Sequence, residues 1–258
     1  MKQKGTAGIR YLLPDMIRGV TLVSMIAFHT CWDLVYLAGK EWDWYRSVPS
    51  YVWQQSICWS FILLSGFCWL LGRRHLKRGL IVFGCGLLVS AVTPFVSRDS
   101  VILFGILTFF GSAMLLMIPL EKWLRHVPAA AGLPAALLVF LFLKNINRRY
   151  LGLQSWKLFV PSSLYRGYPM AYLGFPFKGF YSADYFSLLP WIFLYISGYF
   201  LFRLLKDSGA LERLESASAG TWLTAAGSPF AFLGKHSLLI YLLHQPVVYA
   251  VLLAIGLL

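Results

Sequence analysis

Seven long apolar runs, separated by charged or turn-forming residues, set the pattern of this 258-residue chain. A bilayer core of about 30 Å takes roughly 20 residues of helix to cross. The runs Met16–Ala38, Tyr51–Leu71, Gly79–Val96, Val101–Leu120, Val127–Leu143, Phe186–Leu205 and Ser237–Leu257 approach that length. They predict an all-α fold, a polytopic integral membrane helical bundle of about seven transmembrane helices, organised as a single membrane-embedded domain over residues 1–258. The fifth run carries Pro128 and Pro134 and begins as a broken or interfacial segment. The first run lacks the small-residue cleavage site of a secretory signal, so it is expected to stay in the mature chain. "LLSGFCWLLGRR" and "YISGYFLFRLL" share a small-residue pair followed by an aromatic, which is too little to establish a duplication.

Composition agrees with the pattern. Hydrophobic residues make up 59% of the chain and charged ones 13%, with a mean hydropathy of +0.67, far from a soluble domain. A net charge of +13 would fit nucleic acid if the cations formed one patch, but they cluster at the ends of the apolar runs. That distribution excludes nucleic-acid binding and is what membrane topology produces. With the amino end in the cytoplasm, the cytoplasmic segments hold Lys2, Lys4, Arg10, Arg18, Arg73, Arg74, Lys77, Arg78, Lys122, Arg125, Arg203, Lys206, Arg213 and Lys235. The positive-inside rule thus predicts a multi-pass protein of the cell (inner or plasma) membrane with a cytoplasmic N-terminus.

Two connections stand out. Residues 145–185 form a long aromatic segment ("SSLYRGYPMAYLGFPFKGFYSADYF"), expected on the extracytoplasmic side as a lid, an acceptor-binding surface or an interfacial aromatic belt. Residues 206–235 read as a small polar cytoplasmic connection. Cys31, Cys58, Cys68 and Cys85 lie within apolar runs without metal-ligand spacing, so they read as small buried residues and no metal site is expected. Gly84 and Gly86 suit close packing within one chain or between copies in a homo-oligomer, and membrane lipid is the surrounding partner.

The chemistry begins in "MIAFHTCWDLVYL". Eleven residues at 1.5 Å each place His29 about 16 Å deeper than Arg18, close to the midplane. Asp33 follows one turn later on the same face. An ionisable side chain there costs on the order of 3 kcal/mol, so it should face a cavity or a partner. The functional reading is a general base, a neutral imidazole oriented by a carboxylate. The plain alternative is an interhelical hydrogen bond. In "RYLLPDMIRG", Asp15 suits helix capping, and Arg10 and Arg18 could join Arg73, Arg74, Lys77 and Arg78 in a basic mouth for a phosphate-rich cofactor; read alone, these cations are topology signals. His244, inside the last run, reads as a packing hydrogen bond at least as readily as a catalytic group.

The pattern from Arg10 through Asp15, Arg18 and Gly19 to His29 resembles the opening of the transmembrane acyltransferases, which include the acyltransferase-3 proteins and the heparan-alpha-glucosaminide N-acetyltransferase catalytic-domain family. "FILLSGF", "FGILTFFGSA", "DYFSLLPW" and "LGKHSLLIYLLHQPV" extend the likeness over most of the chain, and their order and compact size look most like small bacterial members of the second family. The resemblance implies a helical membrane protein that takes an acyl group from cytoplasmic acyl-CoA, usually acetyl-CoA, to a carbohydrate-like acceptor on the other side. It carries a catalytic histidine onto His29 through the acyltransferase-3 pattern. The lysosomal branch places its histidine in the loop after the first helix, whereas this chain has no histidine between His29 and His75.

The expected reaction is therefore acetyl transfer with His29 and Asp33 catalytic and Arg10, Arg18, Arg73, Arg74 and Arg78 on the CoA nucleotide. A covalent acetyl-histidine route uses the same residues. A proton-coupled transporter or flippase and a structural membrane subunit are the competing classes, the first lacking an evident inverted repeat.

Overall fold

A computed structural model of the chain describes residues 12–96, 101–153, 155–218 and 222–258. The fold is all-α: ten helices are described, α1 (Leu12–Tyr36), α2 (Val48–Phe67), α3 (His75–Val96), α4 (Ile106–Leu124), α5 (Ala129–Leu143), α6 (Gly167–Leu173), α7 (Leu188–Asp207), α8 (Ala210–Ser218), α9 (Trp222–Lys235) and α10 (Ser237–Ala254). Among the described residues, seven segments, α1, α2 with its following turn, α3, α4, α5 with the turn after it, α7 and α10, are long and apolar enough to cross a membrane. The chain divides into two compact units, residues 1–64 with 205–258, and residues 65–204.

In the first unit α1 packs against α9 and α10. The contact with α9 is backbone to backbone. A Cβ on Gly19 would run into the carbonyl of Phe230, and one on Gly234 into the carbonyl of Asp15, so glycine at both positions lets two antiparallel helices touch without side chains between them. The expected polar connection at 206–235 thus contains two helices, and the second is a packing partner of α1. Below that contact Leu22, Met25, Phe28, Val35, Tyr45 and Ile57 form a buried core. The Trp53 indole donates to Ser24 Oγ at 2.8 Å, and Phe28 meets the Tyr45 and Trp53 rings, each at 5.2 Å.

In the second unit α3 lies close along α4. A Cβ on Gly86 would come within 2.5 Å of the Thr108 nitrogen, and Gly111 faces the Phe83 backbone equally closely. Gly84, by contrast, faces open space. Arg203 of α7 donates to the carbonyls of Leu124 and Val127, each at 2.9 Å, and so satisfies the C-terminal end of α4. The expected fourth span began at Val101, but the helix starts at Ile106. Residues before it are extended and bonded to the chain ahead of α7, with Ala183 N donating to Val101 O and Phe186 N to Phe104 O, both at 2.9 Å. The 145–185 segment holds a two-residue hairpin, Tyr150–Leu151 against Leu158–Phe159, and the short α6.

Candidate active site

His29 sits on α1 beside the buried Phe28, and its ring faces that of His244 on α10, with centroids 5.0 Å apart and planes at 55°. His244 is fixed. Its Nδ1 lies 2.6 Å from the Tyr241 carbonyl, which can only accept, so Nδ1 carries the proton and Nε2 presents a lone pair. That Nε2 is buried without a hydrogen-bond partner among the described residues.

Asp33, 1% exposed, does not pair with His29. Its Oδ1 accepts from Gln245 Nε2 at 3.3 Å, while Asp33 Oδ2 and Gln245 Oε1 have no hydrogen-bond partner among the described residues. The neighbouring turns of α1 and α10 therefore bring together one imidazole and three buried acceptors awaiting donors. Buried polar atoms of this kind are costly when left unmatched, and they mark a place where a donor-bearing group can bind.

The cationic candidates divide by location. Arg18 Nη1 lies 3.2 Å from Asp15 Oδ1. Leu12 is already helical in α1, so Asp15 stands in the first turn, where its negative charge complements the positive end of the helix dipole, and is not the capping residue the sequence suggested. Arg10 lies outside the described residues. Arg73 and Arg74 precede α3 and Arg78 lies in its first turn, all three exposed. Nearby, Trp69 stacks on His75 at 3.8 Å and donates Nε1–H to Glu121 Oε2 at 3.0 Å. The first turn of α3 contains no acidic residue, so the positive end of this helix and these guanidinium groups together suit an anion such as a nucleotide phosphate.

In the second unit a cavity of about 240 Å³ is lined by Val101, Leu103, Tyr168, Phe177, Gly179, Phe180 and Tyr181. Its walls are held by polar ties: Leu103 N donates to Ser182 Oγ at 3.0 Å and Ile106 N to Asp184 Oδ2 at 3.1 Å. The Tyr172 hydroxyl bonds Ser112 Oγ on α4.

A family model described as "Heparan-alpha-glucosaminide N-acetyltransferase, catalytic" matches residues 10–246. The chain belongs to this family. Neither the curated proteins nor the solved structures contain a match. Membership in the heparan-alpha-glucosaminide N-acetyltransferase catalytic-domain family implies a membrane acetyltransferase acting on a sugar-like acceptor, and the matched stretch takes in His29, Asp33, Arg73, Arg74, Arg78, His244 and Gln245. Among the described residues no group of three or more His, Cys, Asp or Glu side chains could hold a metal ion.

For this member of the heparan-alpha-glucosaminide N-acetyltransferase family, sequence reasoning singled out His29 and Asp33 together, and the structure gives each a different partner on α10. Gln245 was not singled out at all. The signal was a polar "HQ" step within an otherwise apolar last helix, next to Pro246, which removes one backbone donor from the turn.

Proposed function

We propose that this protein transfers an acetyl group from cytoplasmic acetyl-CoA to a hydroxyl or amine of an extracytoplasmic, carbohydrate-like acceptor, with His29 as general base. The observation that carries the reading is the buried polar cluster of His29, Asp33, His244 and Gln245 in a family matched over nearly the whole chain. Arg73, Arg74 and Arg78 at the start of α3 bind the CoA phosphates. Arg10 and Arg18 belong to the same cytoplasmic, basic side of the membrane, with Arg18 held by Asp15. The placement of cations along the sequence supports a cytoplasmic amino end in the cell membrane.

The acceptor's O–H or N–H gives its proton to His29 as its heteroatom attacks the thioester carbonyl. The C–S bond then breaks, and the CoA thiolate takes the proton from the imidazolium, so the base returns to its starting state. Asp33 anchors Gln245 within the cluster. The aromatic cavity of the 145–185 segment, with Tyr168 and Tyr181 both exposed, offers flat apolar faces to a pyranose ring. The deciding measurement is acetyl transfer and acetyl-CoA hydrolysis by purified His29→Ala in detergent: both should fall by 10² or more, and full retention would remove His29 from the role.

A further inference from the structure

We infer that His244 is the residue that orients His29, taking an N–H from the base into its own Nε2 so that the opposite ring nitrogen faces the acceptor. The inference deepens the reading above and rests on His29 being the base.

A neutral imidazole can act as a base only at its unprotonated nitrogen, so a second group must hold the other nitrogen's proton and fix the ring. Sequence spacing nominates Asp33 for that task, one turn along the same helix. The structure points elsewhere, because Gln245 engages the Asp33 carboxylate and the ring opposite His29 is that of His244. His244 has the one tautomer that fits: its Nδ1–H is committed to the Tyr241 carbonyl at 2.6 Å, so Nε2 can only accept. That nitrogen is buried and has no donor among the described residues, and His244 itself is 8% exposed.

His29 has no hydrogen bond to hold its ring among the described residues, so its ring is the one that can turn. A centroid separation of 5.0 Å matches an N–H···N bond of about 2.9 Å plus the two ring radii. A turn of the His29 ring that brings one N–H into line with Nε2 would make the bond at this separation. Catalytic hydrogen bonds of this kind commonly close only once substrate is bound.

Two variants separate orientation from packing. His244→Gln keeps an acceptor near the position of Nε2, whereas His244→Asn keeps a donor for the Tyr241 carbonyl but has no acceptor out at Nε2. With acetyl-CoA and a saturating sugar amine, His244→Asn should lower kcat about 100-fold with KM for acetyl-CoA changed less than threefold, and His244→Gln should recover at least tenfold of that loss. Both variants are compared at equal melting temperature in detergent, and with His29→Ala measured alongside. If His29→Ala is inactive and His244→Asn retains wild-type kcat, the inference falls while the base assignment stands. Equal losses in the two His244 variants also overturn it, because they mark a packing role. An active His29→Ala overturns both.

Discussion

Gln245 Nε2 donates to Asp33 Oδ1 at 3.3 Å, joining α10 to α1 between residues 212 positions apart. Removing either partner strands the other in a buried site. Asp33→Ala and Gln245→Ala should each lower the melting temperature in detergent, and the double variant should lose less than the sum. The coupling should be about 0.6 kcal/mol, the average for interhelical hydrogen bonds in membranes. Strictly additive losses would show that the two side chains do not act as a pair.

Backbone contact between α1 and α9 makes a sharper test. Gly234→Ala sets a methyl against the carbonyl of Asp15 and should destabilise by roughly 1–3 kcal/mol. Gly84→Ala, which meets nothing within 4 Å, should gain up to about 1 kcal/mol from helix propensity. Thermal unfolding of the two variants side by side checks the opposite signs.

Asp184 satisfies a free N–H at the start of α4 from the far end of the 145–185 segment. Asp184→Ala should cost about 1 kcal/mol, as loss of a helix cap does, while Asp184→Asn, which still accepts, should recover part of it. Limited proteolysis of the segment ahead of α7 would report the loosening, with faster cleavage in the Ala variant.

Arg73→Ala and Arg74→Ala should each weaken acetyl-CoA binding about tenfold, the size of one charge-assisted hydrogen bond. Isothermal titration with acetyl-CoA measures it, and raised salt should weaken wild-type binding more than that of the double variant. Unchanged affinity would leave these residues as topology signals.

The Tyr185 hydroxyl donates to the Ala171 carbonyl, and burial pushes its pKa up to about 12. In the folded state the phenol stays protonated while an unfolded tyrosine ionises near pH 10. Its contribution is therefore complete below pH 10 and is lost as pH rises toward 12. Chemical unfolding across that window should show a decline for the wild type that is smaller for Tyr185→Phe.

The seven spans were legible because length and apolarity alone define them. Their edges were not, for local reasons: Pro14 is tolerated in the first turn of a helix, so α1 starts before the apolar run, and residues 101–104 pair with the segment ahead of α7 instead of coiling. Helix α9 reads as a loop in the sequence because of its small residues, Pro229 and Gly234, and its close packing on α1 is a tertiary contact that local pattern does not show. Of the candidate site, His29 and Asp33 were legible from their depth in an apolar run. Their partners His244 and Gln245 come from the other end of the chain, and hydrophobic periodicity says nothing about which helices become neighbours.

The paired glycines of α1 and α9 also act as a depth gauge. Because Gly19 lies against Phe230 and Gly234 against Asp15, a side chain at either position would meet a carbonyl, and the two glycines favour this register of the helices. His29 stands ten residues beyond Gly19, about 15 Å along a rigid axis. The height of the imidazole along the bilayer normal is thus indexed by two absent side chains remote from it, and tuning that height would mean relocating a glycine.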